Sequence, residues 1–382
     1  MITTLAPEIE QMKQMVKNFV ENEVEPYAQQ IEEDDKIPQH LVEQAKELGL
    51  FGMSIPEEYG GIGLNTVGKA TVLEQLGRTH NGFVSLIGAH TGIGSTGLVK
   101  LASEELKQKY LPAMATGDRI AAFALSEPGA GSDATNLSTR AVKNGDKWVL
   151  NGTKHFITNA PIADFFTVFA LTDKEKGAKG GITAFLIERN SPGFSIGKKD
   201  KKMGLRGSYT AQLIFEDCEV PEENVIGEVG MGYMSALKIL GEGRIGLAAR
   251  AVGSCDKLIE LSASYAKERK QFGKPIADNQ AIQWMLADMA TETEAARLLT
   301  LKAAQMVDEG KKVIKEASMA KLFASDVFNR VADKAVQIHG GMGYVSDYPV
   351  ERFYRDARIT KIYEGTNEIQ RLIISRRILE EN

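Results

Sequence analysis

Cysteine is nearly absent: Cys218 and Cys255 are the two thiols in 382 residues. So few exclude a disulfide framework and fit a reducing compartment. The five histidines, His40, His80, His90, His155 and His339, are scattered without metal-ligand spacing, so no metal site is expected. No run approaches the roughly 18 apolar residues of a membrane-spanning helix. Positive charge is not in excess: 46 Lys and Arg stand against 51 Asp and Glu, a net charge of −5. That balance leaves no basic stripe to cover phosphates and argues against a nucleic-acid partner. The one basic run, Lys198-Lys199-Asp200-Lys201-Lys202, reads first as a solvated turn and second as a patch for an anionic ligand tail. Residues Met1 to Gln14 carry Glu8 and Glu10 and show neither a secretory n-region and h-region nor an Arg-rich transit pattern. The expected location is a bacterial cytoplasm, or an organellar matrix if a transit peptide was removed.

What is present describes a globular chain, 43% hydrophobic and 25% charged, long enough for two to three folding units. Residues 1–118 read as helical. Ile9, Met12, Met15, Val16, Phe19 and Val20 form one stripe at helical spacing. Pro26 interrupts it, Pro38 starts another helix, and Pro56 to Gly61 is a loop. From Arg119 the segments become short and rich in β-formers, with turn signals such as Asn144-Gly145-Asp146 between them. Three long helical stretches then follow, Met231 to Lys267, Asp278 to Glu309 and Lys312 to Ile338. The expected fold is α+β and multidomain: a helical domain over 1–118, a central antiparallel β-barrel or sandwich over 119–225, and a four-helix-type bundle over 226–382.

Five short stretches carry possible chemistry. Phe123 to Asp133 is a loop of small residues with free N–H groups, suited to a phosphate or a flat polar ring, but it lacks the full dinucleotide fingerprint. Lys154 to Asn159 ends a strand, and Glu268 to Gly273 sits at a helix break with Arg269 and Phe272. Gln337 to Tyr344 holds more glycines than a helix cap needs. The fifth, Tyr363-Glu364-Gly365-Thr366, puts one carboxylate beside an apolar strip and a glycine free to adopt positive φ. Thr366 and Asn367 look like N-caps for the last helix. A partly desolvated Glu364 would have a raised pKa and serve as a general base. Taken singly, each stretch also has an ordinary reading as a turn, a strand end, a helix end or a solvated loop.

Together, in this order and spacing, the five resemble the acyl-CoA dehydrogenase family over nearly the whole chain. The resemblance implies that fold and an FAD cofactor between the β domain and the bundle. It implies that Phe123, Leu125 and Ser126 face the isoalloxazine ring, with Phe156, Ile157 and Thr158 at its other edge and Gly131 and Ser132 nearby. Arg269, Phe272 and Gln280 would reach the FAD of a neighbouring subunit. Gln337, Gly340 and Gly341 would bind its adenosine end, and Thr366 and Glu368 would lie near the flavin. Ser132, Arg244, Tyr363 and Gly365 would serve the acyl-CoA substrate.

The implied activity is α,β-dehydrogenation of a saturated acyl-CoA to the trans-2-enoyl-CoA. Glu364 would remove the α-proton and flavin N5 accept the β-hydride, with donors to the thioester carbonyl from a ribityl hydroxyl and the Glu364 N–H. Electrons would pass to an electron-transfer flavoprotein, in fatty-acid or branched-chain acyl catabolism. Sites shared between subunits imply a homo-oligomer, in the family usually a tetramer. Some members carry the base on the first long helix just before an Arg. Here that Arg matches Arg244 and its predecessor is Gly243, so Glu364 is the fit; Glu242 lies about 100° around the helix. The pattern looks most like the straight-chain, short- and medium-chain members.

Two departures stand out: Phe156 where many members have Trp, and Gly241 where many have an Asp that contacts CoA. Two rivals are an acyl-CoA oxidase, usually a much longer chain, and a non-catalytic relative that keeps the fold. The tail Ile378 to Asn382 is no peroxisomal signal. Helices around Val84 to Gly97 and residues near Ile239 and Leu240 are expected to set pocket depth, and the small residues from Gly92 to Gly97 leave room for a longer tail.

Overall fold

The computed structural model describes residues 5–381; the terminal readings at residues 1–4 and 382 lie outside them. The helical first part comprises α1 (Pro7–Phe19), α2 (Ala28–Asp34), α3 (Gln39–Glu47), α4 (Thr66–Leu76), α5 (Asn81–Ala89), α6 (Ser95–Leu101) and α7 (Glu104–Ala115). Proline in its first turn and the acids Glu8 and Glu10 suit the start of α1. Met12, Val16 and Phe19 are its buried stripe. The cap of α4 is double: the Asn65 side chain accepts from the Gly68 N–H, and Asp308 accepts from Thr66 and Val67 at 2.7 and 2.9 Å.

The middle part is one eight-stranded sheet. Its strands are β1 (Ala121–Ala124), β2 (Arg140–Asn144), β3 (Lys147–Thr158), β4 (Phe165–Leu171), β5 (Ile182–Glu188), β6 (Phe194–Lys199), β7 (Thr210–Pro221) and β8 (Val225–Ile226). The order is β6-β7-β3-β2-β4-β5-β8, with β1 beside β4. The expectation of antiparallel pairing holds for most of it, but β4 runs parallel to both β1 and β2. Layers of the sheet close on each other through aromatic rings: Trp148 of β3 on Phe185 of β5, and Phe166 of β4 on Phe194 of β6. The basic run is not a free turn. Lys198 and Lys199 end β6, and Lys199 pairs with Asp35 at 2.8 Å.

The last part is α8 (Gly232–Glu268), a hairpin of β9 (Lys270–Gln271) and β10 (Lys274–Pro275), α9 (Gln280–Asp308), α10 (Ile314–His339), α11 (Val350–Ala357) and α12 (Asn367–Glu381). Among the described residues no helix is long and apolar enough to cross a membrane. Alanines at 317, 320, 324, 332 and 335 line the buried face of α10 and let α8 and α9 pack closely against it.

Helices α4 and α8 cross almost backbone to backbone. A Cβ on Gly253 would lie 1.8 Å from the Glu74 carbonyl oxygen, and one on Gly77 would lie 2.2 Å from that of Arg250. The Ser254 hydroxyl donates to the Gly77 carbonyl at 2.7 Å across the same contact. This crossing fixes how the first domain sits on the bundle. Gly253→Ala is expected to destabilise the chain by about 1–3 kcal/mol through overpacking. Gly241→Ala on the same helix, where a Cβ meets open space, is expected to be neutral or stabilising. Thermal or denaturant unfolding of both variants checks the contrast.

Candidate active site

Glu364 sits where α11 has run out through a short 3₁₀ turn and α12 has not begun. Its φ of 56° is left-handed, and Gly365 follows at 89°. A non-glycine residue held there costs on the order of 1–3 kcal/mol. The turn is pinned from outside. The Glu364 carbonyl accepts from Arg244 Nε at 3.4 Å and Gln370 Nε2 at 3.3 Å. The Gly365 carbonyl accepts from Lys321 Nζ at 2.8 Å and Gln370 Nε2 at 2.9 Å. Thr366 caps α12 by accepting from the Ile369 N–H. Asn367 is not a second cap: it is buried and bonded to Ser325, Lys321 and Asp326. Lys321 and Gln370, absent from the sequence reading, belong to this set; their spacing from Glu364 carries no motif.

The carboxylate itself is left bare. Its Oε2 is buried without a hydrogen-bond partner, and Oε1 lies 3.7 Å from Arg250 Nη2. Burial raises the Glu364 pKa above its ordinary 4.5, against the opposing pull of Arg250, Lys321 and Arg244. Burial likewise draws Lys321 down to about 8. The Glu364 N–H donates to no group among the described residues. Gly243 makes room for the carboxylate. A Cβ there would stand 2.6 Å from Oε2 and 2.8 Å from Ile93 Cγ2. Ile93 belongs to a single π-turn, His90–Gly94, between α5 and α6. His90 anchors that turn: Nδ1 accepts from the Ala121 N–H at the head of β1, and Nε2 donates to the Met114 carbonyl. Burial lowers His90 to about 4, consistent with a neutral ring. Glu242 turns away and pairs with Lys100.

The carboxylate opens on a cavity of about 2230 Å³. One wall is the β1 exit, with Phe123, Leu125, Ser126, Gly131 and Ser132; facing it are Phe156, Ile157 and Thr158. Arg244, Tyr363, Glu364, Gly365 and Thr366 line the bundle side. A buried pair holds the two β walls in register. Lys154 Nζ contacts Glu127 Oε1 at 2.7 Å and donates to the Leu125 carbonyl at 3.0 Å. Burial would raise Glu127, but Lys154 and the Thr139 and Ser138 donors outweigh it and hold the carboxyl at about 2. The β3 ladder slips between Lys154 and Ile157. In that bulge Phe156 takes φ 58°, stacks on His155 and stays 66% exposed.

Pockets for one drug-sized ligand run about 300–1,000 Å³, so this cavity has room for a cofactor and a substrate together. An exposed aromatic plane, a small-residue loop and an orphaned buried carboxylate facing one space fit a flavin with a thioester beside it. The other expected cofactor residues lie elsewhere. Arg269, Phe272, Gln280, Gln337, Gly340, Gly341 and Glu368 are all exposed and none lines this cavity. Phe272 is 99% exposed at φ 51° on the β9–β10 hairpin.

Three family profiles match in chain order: acyl-CoA dehydrogenase N-terminal domain over residues 6–118, middle domain over 122–218 and C-terminal domain over 230–379. An acyl-CoA dehydrogenase of Bacillus subtilis is 48% identical over 368 residues, 96% of this chain and 97% of that one. The human mitochondrial short-chain specific acyl-CoA dehydrogenase is 46% identical, over 98% of this chain and 90% of its own. The structure of butyryl-CoA dehydrogenase from Megasphaera elsdenii superposes with a TM-score of 0.96 at 40% identity, covering 99% of this chain and 100% of that one. With its three-domain order matched end to end and the cavity shaped for a flavin, the chain belongs to the acyl-CoA dehydrogenase family of FAD-dependent oxidoreductases.

Proposed function

We propose that the chain dehydrogenates a short saturated acyl-CoA across Cα–Cβ to the trans-2-enoyl-CoA, with Glu364 as the base. The observation that carries this is the bare Oε2: a buried carboxylate oxygen with no donor, on a residue that lines the cavity. A thioester α-hydrogen is weakly acidic, and a carboxylate removes it best where water is excluded and its own pKa is raised. FAD, when bound, supplies the acceptor for the β-hydride at flavin N5. Phe123, Leu125, Ser126, Gly131, Ser132, Phe156, Ile157, Thr158 and Thr366 would hold it.

The chain's own residues do the rest. Glu364 Oε2 takes the α-proton. The free Glu364 N–H polarises the thioester carbonyl, where negative charge develops. Arg244 and Lys321 hold the turn that presents both groups. Ser132, Tyr363 and Gly365 line the thioester's path. The exposed positions Arg269, Phe272, Gln280, Gln337, Gly340, Gly341 and Glu368 fit contacts to a cofactor bound mainly by a second subunit, so we place the functional unit in a homotetramer. The acceptor that the resemblance implies is an electron-transfer flavoprotein.

Glu364→Gln is expected to retain FAD and bind acyl-CoA while anaerobic flavin bleaching by butyryl-CoA slows by about 10²–10⁴-fold, the range for loss of a general base. Near-normal bleaching would place the base elsewhere. Because Glu364 works deprotonated and burial raises its pKa, the rate of flavin reduction should fall with decreasing pH at a point above 4.5, and a pH–rate profile reads that limb. Gly243→Ala pushes on Oε2 and should cost about 10²-fold in turnover, the penalty for misplacing a reacting group by about 1 Å, with FAD content unchanged.

A further inference from the structure

Arg250 takes no direct part in the proton transfer or in holding the Glu364 turn. It lies on α8 two turns beyond Gly243, and so on the same helix face. Its side chain is 12% exposed and lines the cavity. Its Nη1 fills the space over Gly88 of α5, where a Cβ would stand 2.7 Å away. Among the described residues its charged partner is Glu364, at 3.7 Å. That is an ion pair too long for a hydrogen bond, where a closed guanidinium–carboxylate pair reaches about 2.7–2.9 Å. No hydrogen bond from the guanidinium is present among the described residues, whereas Arg244 and Lys321 both donate to oxygen acceptors. A guanidinium carries five N–H donors in a planar fork, and this one opens on the cavity without meeting a protein acceptor at hydrogen-bond distance.

Charge points the same way. Three cations, Arg244, Arg250 and Lys321, act on the carboxylate of Glu364; Asp326 and Glu368 also act on Lys321, so the two guanidiniums with Glu364 carry a net +1 (two minus one). A plain hydrocarbon tail ending against Arg250 would leave that fork desolvated and unmatched. A second carboxylate would complete it.

We propose that Arg250 is a specificity residue that binds a carboxylate at the far end of the acyl group, and that the preferred substrates are CoA thioesters of short dicarboxylic acids. This rests on the dehydrogenase reading and deepens it. The chemistry at Cα and Cβ is unchanged; the tail carboxylate is held by bidentate N–H···O bonds and does not react. Arg250 closes the space over Gly88 beside the base, so the tail is short.

The test uses the FAD-loaded enzyme and 3-thia analogues, whose sulfur replaces the β-carbon and leaves no β-hydrogen. Affinities for 3-thiaglutaryl-CoA and 3-thiapentanoyl-CoA are compared by calorimetry, in the natural chain, Arg250→Gln and Arg250→Lys. The expected result is tighter binding of the carboxylate-tailed analogue by on the order of 10²-fold. Arg250→Gln should abolish that preference and Arg250→Lys retain part of it. Equal or tighter binding of the methyl-tailed analogue by the natural chain overturns the proposal, and that comparison needs no variant to fold. So does an Arg250→Gln variant that keeps the preference, or one that weakens both analogues equally while moving the acid limb of flavin reduction. The last outcome makes Arg250 a positioning residue for Glu364. Flavin reduction by glutaryl-CoA and pentanoyl-CoA is measured separately. A binding preference without reduction by any acyl-CoA retains the carboxylate subsite and removes the dehydrogenase reading; reduction by both with no preference does the reverse.

Discussion

One carboxylate oxygen is kept buried and without a donor, and most of the site is arranged to allow that. A carboxylate attracts nearby N–H groups, so leaving Glu364 Oε2 bare requires that each be occupied elsewhere or, like Arg250 at 3.7 Å from Oε1, be held beyond hydrogen-bond reach. Arg244, Lys321 and Gln370 are drawn instead to the carbonyls of Glu364 and Gly365. The same bonds stabilise the left-handed turn that aims the side chain inward. Strain in the backbone and desolvation of the side chain are thus offset by one set of contacts, from residues on α8, α10 and α12.

The sheet contributes through a different device. The Lys154–Glu127 pair is fully buried, and such pairs are weak sources of net stability. Its value is geometric: Lys154 also grips the Leu125 carbonyl, and the His155 N–H donates to the Ser126 carbonyl. Two strand ends that share no ladder therefore face each other at a fixed spacing. The bulge that follows on β3 leaves the Phe156 ring exposed to the cavity, which a regular strand would not do.

The three-part layout was legible because texture changes with secondary structure: alanine-rich helical stretches on one side, short β-branched and aromatic runs on the other. The β2 and β6 strands were not, since Arg140-Ala-Val-Lys-Asn and Phe194-Ser-Ile-Gly-Lys-Lys are polar and gain strand character from their neighbours. The parallel pairing of β4 depends on contacts far apart in sequence. Glu364 stood out through the Gly and Thr that follow it. Lys321, Gln370, Ile93 and Arg250 carry no local signal, and they reach the site only when helices distant in sequence are packed together.

Gly243 and Glu364 compete for one volume. A side chain at 243 long enough to carry a carboxylate would occupy the space that Glu364 fills, with Ile93 closing the other side. A lineage that moved its base from the turn to the helix could not pass through an ancestor holding both groups in place. It would pass through one with neither, a form without a proton acceptor.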